Sequence, residues 1–171
     1  MNRCFRFISL LLVLFLAGCG FQLRGAPHLA FHSIYLSGPP DLGLARQIRQ
    51  ALTQEEGLTI ATAPEKADVV LYISPLVKQQ QILTLNAQGS VSQYTLLARM
   101  NFRATDGMGN ELLAPTHVSL SRVFNYNDVQ ILAKQIEQDV IYKDMERQLV
   151  QEMIFRLATL NPATAGNNSS H

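Results

Sequence analysis

Between Gln93 and Ala104 the chain alternates strictly. Tyr94, Leu96, Ala98, Met100, Phe102 and Ala104 share one parity. Gln93, Thr95, Arg99, Asn101 and Arg103 share the other, with Leu97 the exception. A period of two predicts a half-buried antiparallel strand with one solvated face. Upstream, Val69 to Leu85 reads as one long strand, broken or bulged at Pro75, whose missing N–H suits an edge or a bulge. Asn86-Ala87-Gln88-Gly89 and Asp106-Gly107-Met108-Gly109-Asn110 have the composition of hairpin loops. Leu112 to Tyr126 is predicted as a third long strand, with Pro115 near its start.

Two other stretches repeat at helical spacing. After a short strand at Ile34 to Leu36 and the break Ser37-Gly38-Pro39-Pro40, Asp41 is placed to cap a helix. Leu44, Ala45, Ile48, Ala51 and Leu52 form its apolar stripe, with Arg46, Arg49 and Gln50 between them; Gly57 is a natural stop. Leu58 to Ile60 reads as a small edge strand and Pro64 to Asp68 as a turn. Residues 128–138 are mixed and fit either a loop or a short helix. From Asp139 to Leu160, Ile141, Met145, Leu149, Met153 and Leu157 recur every four residues, and Asn161-Pro162 ends the pattern.

Each helix has one apolar stripe and the sheet has one apolar face, so the economical arrangement buries them against each other. The expected fold is α+β: a two-layer sandwich with two helices on one face of a four-stranded, mixed but mostly antiparallel sheet, in the order β-α-β-β-β-α. Residues 34–160 form the expected domain, 19–33 a tether, and 161–171 a polar tail expected to be disordered.

The N-terminus changes the picture. Arg3 and Arg6 precede an apolar run from Phe7 to Leu16, followed by Ala17-Gly18-Cys19. A run of ten residues, apolar but for Ser9, is half of the ~20 that span a bilayer, but it matches a signal-peptide core. Small residues directly before one cysteine are the pattern of a bacterial lipoprotein signal. The expectation is cleavage after residue 18 and an N-acyl, S-diacylglycerol lipid on Cys19. An ordinary secretory signal ending near a cysteine is the alternative.

Of 171 residues, loss of the first 18 leaves 153; Arg3 and Arg6 go with them, leaving 12 basic against 13 acidic residues. That balance gives no global basic field, so no nucleic-acid partner is expected. Cys4 is lost with the signal and Cys19 carries the lipid, so no thiol pair remains for a disulfide. His28, His32, His117 and His171 are scattered without metal-site spacing. No serine sits in a Gly-x-Ser-x-Gly turn, and Gly107-Met108-Gly109 lies between antiparallel strands where a nucleotide loop would open a helix. Neither an enzyme nor a cofactor is expected.

What remains is a surface. Arg99 and Arg103 lie on the polar parity, with Lys78 and Arg122 on neighbouring strands and Lys134 beyond. Such a row is ordinarily just the wet side of a sheet, yet guanidinium forks also match phosphate and carboxylate geometry. Arg122 shares parity with Val118, Leu120, Phe124 and Tyr126. Either a bulge shifts the register after Leu120, or Arg122 snorkels from a partly buried position.

Several blocks together resemble the LPS-assembly lipoprotein family LptE, also called RlpB. They are Gly18-Cys19-Gly20-Phe21-Gln22-Leu23-Arg24-Gly25; Ala67-Asp68; Ser92-Gln93-Tyr94; Arg122-Val123-Phe124 with Asn125-Tyr126-Asn127; Leu132-Ala133-Lys134-Gln135-Ile136-Glu137; and Ile141-Tyr142-Lys143-Asp144-Met145. They are distributed over nearly all of the chain after Cys19, in the family's order. The resemblance implies an outer-membrane lipoprotein, lipid-anchored on the periplasmic side, that plugs an LptD-type β-barrel, binds lipopolysaccharide (LPS) directly and helps insert it into the outer leaflet. Lys134 matches a basic position of the family's Ala-Lys block. Arg99 and Arg122 join it as candidate LPS contacts from the strand pattern. A different envelope-binding task, on peptidoglycan or an envelope enzyme, is the alternative.

Overall fold

The computed structural model describes residues 29–38 and 42–160. The expected signal peptide, Cys19, most of the tether, the Asp41 cap and the tail after Leu160 lie outside the described residues. The elements are β1 (Ser33–Ser37), α1 (Leu42–Thr53), β2 (Thr59–Ile60), β3 (Val69–Ile73), β4 (Val77–Leu85), β5 (Val91–Thr105), β6 (Glu111–Asn125) and α2 (Ile131–Ala158). Short 3-10 turns at Pro64–Lys66 and Asp128–Gln130 lead into β3 and α2.

The sheet has six strands, not the expected four. β1 runs parallel to both β2 and β3. β5 pairs antiparallel with β6 along one edge. Its other edge pairs with β3 through Phe102–Thr105 and with β4 through Val91–Arg99. β3 and β4 therefore follow one another along the same side of β5, as the reading of one interrupted strand implies. The interruption is chemical. Proline has no N–H to give the ladder, and the chain bridges the gap with Ser74, whose N–H donates to Asn101 O (2.9 Å) and whose Oγ accepts from Asn101 N–H (2.9 Å). The two-residue β2 accounts for the other extra strand.

Both hairpins are closed by the same device. Asn86 Oδ1 accepts from the N–H groups of Gln88 and Ser90, and Asp106 Oδ1 from those of Met108 and Asn110. Gly89 and Gly109 supply the positive φ (80° and 92°) each turn needs. Gly107 is required for a different reason: a Cβ there would stand 2.9 Å from Ala67 O, so this hairpin tip docks closely on the turn before β3.

The apolar parity of β5 is buried as expected, against Leu71 and Ile73 of β3 and both helices. Leu44, Ile48 and Leu52 of α1 and Met145, Leu149, Met153 and Leu157 of α2 complete that layer. No described helix lies on the Arg99 face, whose odd-numbered β5 side chains from Gln93 to Arg103 are half-buried or exposed. α2 begins at Ile131, eight residues before the sequence pattern becomes regular. Asn127 starts the preceding turn by accepting from Val129 N–H through Oδ1. The first turns of α2 overhang the core, so Leu132, Ile136 and Val140 stay exposed and leave no burial periodicity to read.

β1 is fastened to β3 by Asp68. Its Oδ2 accepts from the N–H groups of His32 and Ser33 (both 2.9 Å), while its own N–H donates to Ser33 Oγ. Burial raises the Asp68 carboxyl, but these hydrogen bonds together outweigh it and hold the group below its ordinary value. A depressed carboxylate contributes stability above its unfolded pKa, about 3.9, and loses it as pH falls through the folded value. Asp68→Asn is therefore expected to lower the melting temperature at pH 6 by a few degrees and to lose less than wild type between pH 5 and pH 3. Parallel acid limbs in a thermal melt series would remove Asp68 as a contributor.

Candidate functional site

The end of the sheet formed by the β4–β5 hairpin and the last residues of β6 differs from the rest. Tyr94 and Phe124 are cross-strand partners. Tyr126 meets Tyr94 edge-on at 5.2 Å and Phe124 at 6.5 Å between ring centroids. Phe124 is buried at 1% exposure although it lies near the end of its strand, because the start of α2 covers it. Lys134 Nζ stands 5.5 Å from the Phe124 centroid and pairs with Glu137 Oε2 at 2.8 Å. Exposed apolar side chains surround this end: Ile82, Leu83 and Leu85 on β4, and Leu132, Ile136 and Val140 on α2. A cation laid on an aromatic ring beside exposed apolar groups suits an amphiphile, with a charged head at Lys134 and apolar surface nearby. Glu137 tempers that charge, so Lys134 is not a free cation.

The three candidate contacts do not converge. Arg122 lies on the helix side, as its parity with Phe124 requires. The register of β5 with β6 runs unbroken from Gln93 to Phe102, with shifts only between Phe102 and Thr105, so no bulge follows Leu120. Arg122 instead extends outward and donates through Nη2 to Gln148 Oε1 at 2.9 Å. Gln148 is 14 residues beyond Lys134, about 21 Å along the helix at 1.5 Å per residue. Arg99 lies on the opposite face, between Val77 and Ser119.

Lys78 also leaves the expected polar row. It faces α2, pairs with Glu146 and lies 5.6 Å from the Tyr142 centroid. Glu146 is buried at 7% exposure and also accepts from Gln47 Nε2 at 3.2 Å. Tyr142 OH donates to Gln79 O, and Gln138 Nε2 to Gln80 Oε1. Gln138, Tyr142 and Glu146, one turn apart on α2, thus hold three consecutive residues of β4. These lysine and glutamine contacts are fasteners of the fold.

The aromatic cluster escapes a reading of residues one strand at a time. Tyr94, Phe124 and Tyr126 all fall on apolar parities, but only the register opposes Tyr94 to Phe124. Among the described residues no group of three or more His, Cys, Asp or Glu side chains is placed to hold a metal ion. No described helix is long and apolar enough to cross a membrane.

Residues 31–157 match the LptE family model, described as lipopolysaccharide-assembly. The LPS-assembly lipoprotein LptE of Pectobacterium atrosepticum is 26% identical over 163 residues, covering 94% of this chain and 88% of that protein. Its counterpart from Yersinia pestis is 28% identical over 172 residues, covering 97% and 82%. Among solved structures, lipoprotein B from Nitrosomonas europaea superposes with a TM-score of 0.68 at 28% identity, over 79% of this chain and 88% of that one. Rare lipoprotein B from Shewanella oneidensis shares the fold, with a TM-score of 0.66 at 23% identity, over 74% and 94%. The chain belongs to the LptE family of lipopolysaccharide-assembly proteins, and its role is assembly, not catalysis.

Proposed function

We propose that this chain is an outer-membrane lipoprotein that is tethered through Cys19 on the periplasmic side, seats inside an LptD-type β-barrel and binds LPS directly. The observation that carries the barrel reading is the uncovered sheet face. Gln93, Arg99, Asn101 and Arg103 of β5 and Ser119 and Ser121 of β6 make a broad hydrogen-bonding surface, compatible with the polar interior of a large barrel. The Lys134–Phe124 contact and its apolar surroundings support LPS binding at the hairpin end.

Affinity capture of the acylated protein from outer membranes is expected to bring down a stoichiometric large β-barrel. A peptidoglycan-bound fraction with no barrel would overturn the reading. For the lipid, Lys134→Glu is expected to weaken LPS binding at least fivefold while circular dichroism stays unchanged. Arg122→Glu should have the smaller effect, because Gln148 already holds that guanidinium away from Lys134. Unchanged LPS binding by a folded Lys134→Glu protein would remove the hairpin end as the contact.

A further inference from the structure

The molecule segregates its charges. All four ion pairs among the described residues draw their carboxylate from α2: Lys78–Glu146, Lys134–Glu137, Arg147–Asp144 and Arg156–Glu152. The sheet is the reverse. Across β1 and β3 to β6 the only carboxylate is Glu111, the first residue of β6. Among the described residues, Arg99 and Arg103, exposed on the face away from the helices, have no carboxylate within ion-pair distance.

This face is also pre-arranged. Arg103 lies 4.1 Å over the ring of its cross-strand partner Tyr72, which holds the guanidinium flat. Between the two arginines, Asn101 Oδ1 and His117 Nδ1 are 2.8 Å apart. A shallow hollow of about 260 Å³ opens beside Arg103, between Ser37, Tyr72, Ser74, Asn101 and Pro115. Further along, Gln93 bonds to both Asn125 and Thr84. The row offers Arg103 held against Tyr72 and an exposed Arg99, with hydrogen-bonding side chains between and around them.

We infer that this open face is an anion-binding saccharide subsite, separate from the hairpin end, which takes phosphate groups on the sugar portion of the ligand. The inference rests on the proposed LPS binding and deepens it. Arg99 and Arg103 are four residues apart on an extended strand, about 13 Å at 3.3 Å per residue. With Arg103 held over Tyr72, the two guanidinium groups offer separate points that an oligosaccharide charged at two positions can span. Guanidinium forks bind such groups bidentately, and amide and hydroxyl side chains between them match sugar hydroxyls. In the proposed seating this face looks onto the polar lumen of the barrel. The hollow beside Arg103 is mostly apolar, with Tyr72 and Pro115 as well as Ser37, Ser74 and Asn101 in its lining. It suits the apolar face and hydroxyl edge of a sugar ring, where an acidic barrel wall would need the guanidinium alone.

The test is calorimetric titration of the purified protein with acyl-free, phosphorylated LPS core oligosaccharide, with intact LPS binding measured in parallel. Wild type is expected to bind it, and Arg99→Gln/Arg103→Gln to bind at least tenfold more weakly with unchanged circular dichroism. Arg99→Gln alone, which removes no packing contact, should give part of that loss. Enzymatic removal of the phosphates should weaken binding similarly. Arg46→Gln/Arg49→Gln, which takes the same charge from exposed positions on α1, should bind as wild type does. Normal binding by the sheet-face double variant, equal binding of the dephosphorylated sugar, or equal loss in the α1 variant would each overturn the subsite. Normal oligosaccharide binding with reduced barrel capture would reassign the face to an acidic protein wall. LPS binding without oligosaccharide binding sinks the subsite alone; no LPS binding by wild type sinks the proposed function itself.

Discussion

Phe124→Ala is expected to destabilise the protein by about 3–5 kcal/mol, the range for removing a buried aromatic ring from a core that cannot collapse around the loss. Phe124 is fully buried, faces Tyr94 across the ladder, touches Tyr126 and lies beneath Lys134. Its removal opens a cavity where the overhanging start of α2 meets the sheet, and few other buried groups hold the two together there. Phe124→Leu keeps much of the apolar volume and should cost about 1 kcal/mol. It also removes the ring face on which Lys134 rests, a contact worth about 0.5–1 kcal/mol at a partly exposed site. Urea unfolding separates the two variants. A loss below about 1 kcal/mol for the alanine variant would show that the ring is not part of the core. If the leucine variant folds but binds LPS more weakly, the ring has a role in positioning Lys134 as well as in packing.

The long antiparallel strands and both hairpins were legible because each rests on local chemistry. Strict alternation in β5 reports one buried face, and the Asn86 and Asp106 turns carry their own side-chain acceptors. The strand count was less legible. Pro75 announces a break, but whether the chain resumes on the same partner depends on Ser74 replacing the lost ladder contact with Asn101. The beginning of α2 was illegible for the opposite reason. Leu132, Ile136 and Val140 are apolar and helical, yet they overhang the core, so the pattern that marks the rest of α2 is absent.

The candidate site divided along the same line. Arg99 could be assigned to the open face from parity alone. Parity also put Arg122 on the helix side, but only the unbroken register excludes a bulge, and only the tertiary contact with Gln148 shows where its charge goes. Lys78 was misread because β4 alternates weakly: Lys78, Gln79, Gln80 and Gln81 are all polar, so composition does not distinguish the strand's two faces. The buried partner Glu146, 68 positions away in sequence, fixes it. Long-range pairing, which single residues do not encode, decided Arg122 and Lys78.

Replacing Cys19 by alanine, with residues 1–18 exchanged for an ordinary secretory signal, is expected to move the protein from the membrane fraction to the soluble periplasmic fraction in cells lacking the proposed barrel. The magnitude follows from the chains lost. Each methylene buried in the bilayer contributes about 0.8 kcal/mol, so one chain holds marginally and two or three hold stably. The described fold offers no substitute, since none of its helices is long and apolar enough to span a bilayer. Stability should not change, because Cys19 lies in the segment read as a tether, 14 positions before β1 begins at Ser33. With the barrel present, part of the alanine protein should remain membrane-bound, because the tether's contribution is then the raised local concentration of one partner beside the other. Recovery is checked by fractionation and the fold by melting temperature. Full membrane retention without the barrel would contradict lipid anchoring at Cys19. Lost membrane retention with an unchanged melting temperature is the result that a tethered, independently folded plug requires.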